Sequence, residues 1–343
     1  MQPTTSATRA SGSDIERSKS TFTAYEVPNH RRSIAQLLTT VVPLAVLWTT
    51  MLYTLEYGYW LTILLAVPTA GFLVRLFLIQ HDCAHGSLFR SPLANDVLGC
   101  VIGVVTLTPF YYWRRLHLMH HAASGNLDRR GHGDIKTLTV SEYRRLSVLR
   151  RLGYRLYRNP LMLFGIGPIL YFGIVQRFCT PRLTRCPRER ASVYATNAGL
   201  LVLLTALGWT LGIQRLLLVG LPVLALASSA GVWLFYVQHQ FEESYWEAGD
   251  GWGYREAAMQ GRSYYVLPKL LEWLTCHIGL HHIHHLRPRI PNYRLQQCLD
   301  ENSILLRADR LTFRRSLRCA SLKLWDEELK RLVPYPARGG ARL

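Results

Sequence analysis

The chain has 343 residues, of which 49% are hydrophobic and 18% are charged, and its mean hydropathy is +0.06. These values fit a membrane protein with sizeable polar parts better than a soluble enzyme. The formal net charge is +18, and nearly all of the excess is arginine. A nucleic-acid binder carries such charge on a soluble scaffold, whereas a membrane protein places it in cytoplasmic loops. The distribution of the arginines favours the membrane protein and argues against a nucleic-acid partner.

The seven cysteines form no C-x-x-C pair, which argues against a disulfide scaffold and against a cysteine-rich zinc module. A reducing, cytosol-facing setting follows. Residues 1–30 are polar, rich in Ser and Thr, and lack the apolar run of a cleaved signal peptide. Their composition predicts a disordered cytosolic tail.

Two apolar runs, 34–55 and 60–79, follow the tail and are joined by a short connector without Lys or Arg. At 1.5 Å per residue the first run reaches about 33 Å, which is enough to cross a bilayer. Pro68 and Arg75 in the second run are tolerable there, because freed backbone groups find other partners and a long side chain reaches the interface. The two runs predict a transmembrane hairpin.

A second predicted hairpin has arms at 193–213 and 216–237. Between the hairpins, the segments 97–112 and 161–178 are apolar but interrupted by Gly and Pro, so they are predicted to be interfacial or re-entrant. If only the hairpins cross, both termini and nearly all of the arginines share one side, which is then cytoplasmic. The predicted fold is an all-α integral membrane protein with about four spans and a cytosolic helical cap. The membrane domain covers residues 31–300, and a cytosolic C-terminal segment covers 301–343.

Histidine is concentrated in four places on this predicted cytoplasmic side: H-D-C-A-H at 81–85, H-L-M-H-H at 117–121, Q-H-Q-F-E at 238–242 and C-H-I-G-L-H-H-I-H-H-L at 276–286. Residues three and four apart share a helix face, and imidazole is the commonest metal-binding side chain. Each of the shorter clusters alone also fits an ordinary polar surface. Together they hold more imidazoles than one zinc ion needs, so the sequence predicts a nitrogen-rich, two-metal centre.

The order of these motifs, with P-R-I-P-N-Y following the last one, resembles the membrane-bound fatty acid desaturases over about residues 30–300. Within that family, stretches such as L-D-R-R-G-H-G-D resemble the bacterial acyl-lipid omega-6 (delta-12) branch. The resemblance implies nine metal ligands: His81, His85, His117, His120, His121, His239, His281, His284 and His285. It leaves His282 outside the ligand set. Related sequences commonly have Asn at the position of His277, so direct binding, binding through water and no binding all stay open for that residue.

Four carboxylates are candidates for accepting the second ring N–H of a ligand histidine: Asp82, Asp128, Asp134 and Glu242. For Asp128, a surface pair with Arg129 or Arg130 is an equally good explanation.

The resemblance further implies two iron ions (Fe2+/Fe3+), O2 as co-substrate, and a cis double bond introduced into a lipid-linked acyl chain. The chain has no flavin, cytochrome or iron–sulfur signature, so electrons are expected from a ferredoxin or a cytochrome-type donor. The expected location is the bacterial cytoplasmic membrane. A hydroxylase or ketolase of the same superfamily, acting on lipids, alkanes or carotenoids, is the main alternative. A metal transporter or sensor is disfavoured, because the predicted spans carry almost no ionisable residues.

Overall fold

The structure is a computed structural model that describes residues 22–180 and 186–336. Its helices, in chain order, are α1 (His30–Thr54), α2 (Tyr59–His85), α3 (Pro92–Val105), α4 (Phe110–Ala123), α5 (Val140–Arg145), α6 (Val148–Tyr157), α7 (Gly167–Gly173), α8 (Pro187–Leu211), α9 (Ile213–His239), α10 (Tyr254–Gln260), α11 (Lys269–Leu274), α12 (His281–Leu286), α13 (Asn292–Glu301) and α14 (Phe313–Cys319). Short 3-10 turns and one π-helical turn, Met162–Ile166, complete the helical content.

Four of these helices, α1, α2, α8 and α9, are long and apolar enough to cross a membrane. They confirm the predicted all-α membrane fold, and they pair as the two expected hairpins. The second hairpin turns at a single residue, Gly212, whose φ of +84° favours glycine.

The two segments predicted to be interfacial fall in bent helix pairs. Helices α3 and α4 meet at 104°, and α6 meets the stretch Met162–Arg177 at 55°. Each pair is long and apolar enough to be a broken span or a re-entrant loop, so the number of spans lies between four and six.

Helices α2 and α9 are longer than a bilayer requires. Each has 27 residues, which is about 40 Å at 1.5 Å per residue, against about 30 Å of hydrocarbon. Both continue past the predicted ends of their spans, at residues 79 and 237, to a final histidine. The last turns of α2 and α9 therefore carry His81, His85 and His239 out of the hydrocarbon region.

The polar cap contains two small sheets. In the first, β1 (Leu138–Thr139) runs parallel to β4 (Leu324–Asp326), which pairs antiparallel with β5 (Arg331–Val333). In the second, β2 (Tyr264–Val266) runs parallel to β3 (Arg310–Thr312). Both sheets join the segment after residue 300 to the preceding domain through backbone hydrogen bonds.

The start of the described chain also packs into the cap. Phe22 and Tyr25 are buried in a core with Ile283 of α12 and Leu295 of α13. The segment predicted as a disordered tail over 1–30 is thus packed from residue 22 onward, because two aromatic side chains bury apolar area there. Residues 1–21 lie outside the described residues.

Arg158 joins the last span to the C-terminal segment. Its side chain is fully buried, and its Nη2 donates to Tyr236 Oη at 3.1 Å, to Gln240 Oε1 at 3.1 Å and to the Leu322 carbonyl at 2.9 Å. Lys323 Nζ donates to the Arg158 carbonyl at 2.7 Å. This cluster fastens the end of α9, which carries His239, to the chain just before β4.

We expect Arg158→Met to destabilise the protein by about 2–4 kcal/mol, because it removes three hydrogen bonds between a buried guanidinium and buried oxygens. Arg150→Met is the matched control, since Arg150 is exposed on α6, the helix that ends just before Arg158. The measurement is the apparent melting temperature of the detergent-purified protein. Equal melting temperatures for the two variants would contradict this role.

Candidate metal centre

Eight of the nine predicted ligands gather in two groups, within each of which the ligand nitrogens lie within 4.8 Å of one another. Site A consists of His81, His85, His117, His121 and His284. Site B consists of His120, His239 and His285. The ninth, His281, adjoins site B, with its Nε2 3.3 Å from that of His239.

Two helices contribute to both sites, because successive residues on a helix point about 100° apart. On α4, His117 and His121 are one turn apart and face site A, while His120 faces site B. On the short helix α12, His284 faces site A and His285 faces site B. The rings of His121 and His285 stack at 4.0 Å, so the two sites are direct neighbours.

In site A, short contacts join four Nε2 atoms in a row. The distances are 2.9 Å from His85 to His117, 3.1 Å from His117 to His121 and 3.1 Å from His121 to His284. In a neutral ring, Nε2 carries either one proton or one lone pair, so it forms one good hydrogen bond. Four such atoms in a row therefore form at most two hydrogen bonds, which leaves at least one of the three contacts unsatisfied. Two nitrogens bound to one ion at about 2.1 Å and at right angles lie about 3.0 Å apart. The spacing therefore fits nitrogens that share a cation.

Site B shows the same excess of lone pairs over protons. The Nδ1–H of His239 donates to the Phe235 carbonyl at 2.7 Å, so in the neutral ring Nε2 carries a lone pair. That one atom faces the Nε2 atoms of His120 at 2.9 Å, His285 at 3.3 Å and His281 at 3.3 Å. A single lone pair in the ring plane accepts one proton well. A cation at the common focus would satisfy all four nitrogens.

A histidine must be neutral to bind a metal, and burial disfavours the charged form of an imidazole. All nine are buried except His85, which is half-buried. Burial, followed by the neighbouring imidazoles, lowers the pKa of His281, His284 and His285 well below the usual range. Trp113 stacks on His117 at 4.7 Å, which gives site A an aromatic wall.

Two of the four carboxylate candidates lie beside ligand histidines. Asp134 pairs with His120 Nδ1, which directs the His120 Nε2 lone pair toward site B. Asp82 Oδ1 is 3.7 Å from His81 Nδ1, and Asp82 Oδ2 accepts from the backbone N–H and the side-chain amide of Asn292 at 2.9 and 2.7 Å.

The other two candidates have different partners in the described structure. Asp128 Oδ2 accepts from the backbone N–H of Gly249 at 2.7 Å. Glu242 is exposed and pairs with Arg331 at 3.4 Å. Among the described residues, neither carboxylate contacts an imidazole of site A or site B.

Two further histidines of the last motif stand apart from both sites. His282 is fully buried, and neither of its ring nitrogens has a side-chain hydrogen-bond partner among the described residues. Burial lowers its pKa to about 3, so it is a neutral core residue. His277 is half-buried and lines a separate pocket.

Sequence reasoning missed Arg262, which is fully buried near site B. Its Nε and Nη2 have no partner among the described residues, and its positive charge contributes to the lowered pKa of His281 and His285. In the sequence it resembles any other basic loop residue, so no pattern identifies it. Asn292, by contrast, belongs to the P-R-I-P-N-Y motif, so the sequence did indicate that this stretch matters.

Comparison with known proteins identifies a family that this chain resembles. A family model described as fatty acid desaturase matches residues 58–315. A fatty acid desaturase of Bacillus subtilis (strain 168) is 45% identical over 314 residues, which cover 92% of this chain and 89% of the relative. A chloroplastic omega-3 fatty acid desaturase of Glycine max is 29% identical over 66% of this chain and 50% of its own. The chloroplastic sn-2 acyl-lipid omega-3 desaturase (ferredoxin) of Arabidopsis thaliana is 28% identical over 66% of this chain and 51% of its own length. The chain spans about half the length of these two plant relatives.

We expect Asp134→Ala to weaken metal binding at site B by about 10–100-fold, because His120 loses the group that orients its ring. Asp128→Ala is the matched control, since Asp128 contacts a backbone N–H in place of an imidazole. Metal retained per chain after dialysis against a graded chelator measures the effect. Equal retention by the two variants would contradict the role of Asp134, and a selective loss in Asp128→Ala would favour the other carboxylate.

Proposed function

The chain belongs to the fatty acid desaturase family of membrane oxidoreductases, and we propose that it uses two iron ions and O2 to introduce a cis double bond into a lipid-linked acyl chain. The observation that carries the proposal is the convergence of nine imidazoles, eight of them buried, on two adjacent points. Site A and site B would each hold one ion.

The chemistry requires a metal that changes oxidation state. The hydrogens of adjacent methylenes have no polar handle for a general base, and zinc has no redox chemistry. Iron bound in both sites would supply, with O2, the oxidising power to remove two hydrogens. Forming one C=C bond while reducing O2 to two waters takes two further electrons and two protons, so the reaction needs an external reductant.

The chain's own residues hold and isolate this centre. The imidazoles provide neutral nitrogen ligands, and Asp134 and the Phe235 carbonyl fix the ring protons of His120 and His239. Trp113 and Phe235 cover rings of the two sites and help to exclude water. Regioselectivity then depends on where the protein places the acyl chain relative to the ions.

We propose the omega-6 (delta-12) position for the double bond, on the resemblance of the histidine motifs to that branch. The plant relatives carry omega-3 names, so omega-3 is the alternative product. The name of the Arabidopsis relative includes ferredoxin, which supports a ferredoxin-type donor here, and a cytochrome is the alternative.

The proposed location is the bacterial cytoplasmic membrane, with both sites on the cytosolic side. The support is the charge distribution: the turns on the far side of α1–α2 and α8–α9 hold Arg215 and little other positive charge, whereas the side of the histidines holds most of the arginines.

Expression in a host that makes monounsaturated lipids tests the function. We expect new diunsaturated acyl chains in the lipid profile, and the mass spectra of derivatives give the position of the double bond. His120→Ala and His284→Ala should abolish the product, because each removes a ligand from one site. His132→Ala, at an exposed histidine outside both sites, should keep it.

Hydroxylated or ketolated lipids without diunsaturated chains would favour the hydroxylase alternative. Desaturation retained in His120→Ala or His284→Ala, at normal protein levels in the membrane, would contradict the assignment of the ligands.

A further inference from the structure

A pocket of about 310 Å³ lies outside both histidine sites. It is formed by the first turns of α1, the middle of α2, and the chain on either side of α12. Its polar and aromatic lining includes Arg32, Gln36, Arg75, Trp273, His277 and Asn292. The metal centre uses none of these six side chains as a ligand.

The two charged side chains of this lining, Arg32 and Arg75, are both positive. Arg75 is 4% exposed; its Nε donates to Thr40 Oγ1 at 3.0 Å, its Nη1 donates to the Trp273 carbonyl, and its guanidinium lies 4.0 Å from the Trp273 ring centroid. All of these partners are neutral. Within residues 22–180 and 186–336, neither Arg75 nor Arg32 forms an ion pair with a carboxylate. A buried guanidinium without a counter-ion is costly, so the pocket favours an anion.

His277 adds a hydrogen-bond donor to the pocket. Burial lowers its pKa, the Glu272 carboxylate opposes this shift, and Arg75 adds to it. The ring is therefore neutral at pH 7 and provides an N–H. The charged groups that act on His277 are the negative Glu272 and the positive Arg75.

The depth of the pocket identifies the kind of anion. At 1.5 Å per residue, Arg75 lies about 24 Å along α2 from Tyr59, and Arg32 lies about 33 Å along α1 from Thr54. Tyr59 and Thr54 mark the far-side turn of the hairpin. The hydrocarbon core is about 30 Å thick, so the two guanidinium groups bracket its boundary on the histidine side. Lipid phosphates lie at this level.

The pocket also shares a wall with site A. Gln36 Nε2 donates to Asn292 Oδ1 at 2.7 Å, and Asn292 holds Asp82 beside His81. An anion in the pocket is thus separated from a site A ligand by two hydrogen-bonded side chains.

We propose that this pocket binds the phosphate group of an anionic phospholipid in the leaflet on the histidine side, with Arg32, Arg75 and His277 as its donors. Two guanidinium groups and an N–H match the oxygens of a phosphodiester. Under the proposed function, on which this step rests, the lipid bound there belongs to the substrate class of the enzyme.

Binding of radiolabelled phosphatidylglycerol to the full-length, detergent-purified protein tests the proposal. We expect the double variant Arg32→Gln/His277→Asn to bind at least about tenfold more weakly, because each charge-assisted hydrogen bond contributes about one order of magnitude. Arg75→Gln should show the same loss. Arg31→Gln is the matched control, because it removes the same charge from the same exposed turn but does not line the pocket. Melting temperature and iron content show whether each variant is folded.

Diacylglycerol, which has no phosphate, should not compete with the labelled lipid, and millimolar inorganic phosphate should not displace it. Unchanged phosphatidylglycerol affinity in the folded variants would overturn the proposal, as would equal competition by diacylglycerol. Displacement of the labelled lipid by inorganic phosphate would mean that the pocket binds a free anion, and that result would also overturn the proposal.

The lipid profile of the expressing host separates this inference from the proposed function. Specific phospholipid binding without any desaturated product contradicts the proposed function and leaves the binding site intact. Desaturated product with variant binding equal to wild type contradicts the binding site and leaves the function intact.

Discussion

The structure depends on one crowded arrangement, in which eight imidazole nitrogens approach one another more closely than their protons can explain. Neutral rings cannot satisfy all of these contacts of about 3 Å with hydrogen bonds, so some Nε2 lone pairs face one another. Metal cations at the two focal points would turn this repulsion into coordination. The rest of the fold brings these nitrogens together and holds them there.

The excess length of α2 and α9 brings the ligands to the membrane surface. A span of 20 residues would end inside the bilayer boundary, whereas these 27-residue helices extend one to two turns beyond it. The cap then closes over them. Arg158 fastens the end of α9 to the C-terminal segment, and Asn292 links α13 to α2 through Asp82. Neither contact involves a predicted metal ligand, so each contributes by holding in place a helix that carries ligands.

Much of this could be predicted, because the signals are local. Apolar runs of about 20 residues identify spans by length alone, and histidines three and four apart identify helix faces. The division of the ligands between two sites could not be predicted in the same way. His117, His120 and His121 look equivalent on one helix, and only the positions of α2, α9 and α12 around it decide that His120 faces a different site. The carboxylates show the same limit, since Asp128 and Asp134 are near neighbours in one polar loop and only Asp134 reaches an imidazole.

By itself, the sequence determined the membrane class, the two hairpins, the gathering of the histidines at one end of them and the family to which the chain belongs. These properties depend on composition, on period and on the order of short motifs, all of which a linear chain carries. Tertiary structure alone decided which nitrogens share a focus, which carboxylate orients a ring, and where Arg262, Arg158 and the Arg75 pocket lie. Those are contacts between residues far apart in the chain, and their energies exist only once burial has removed the water that would otherwise satisfy each group.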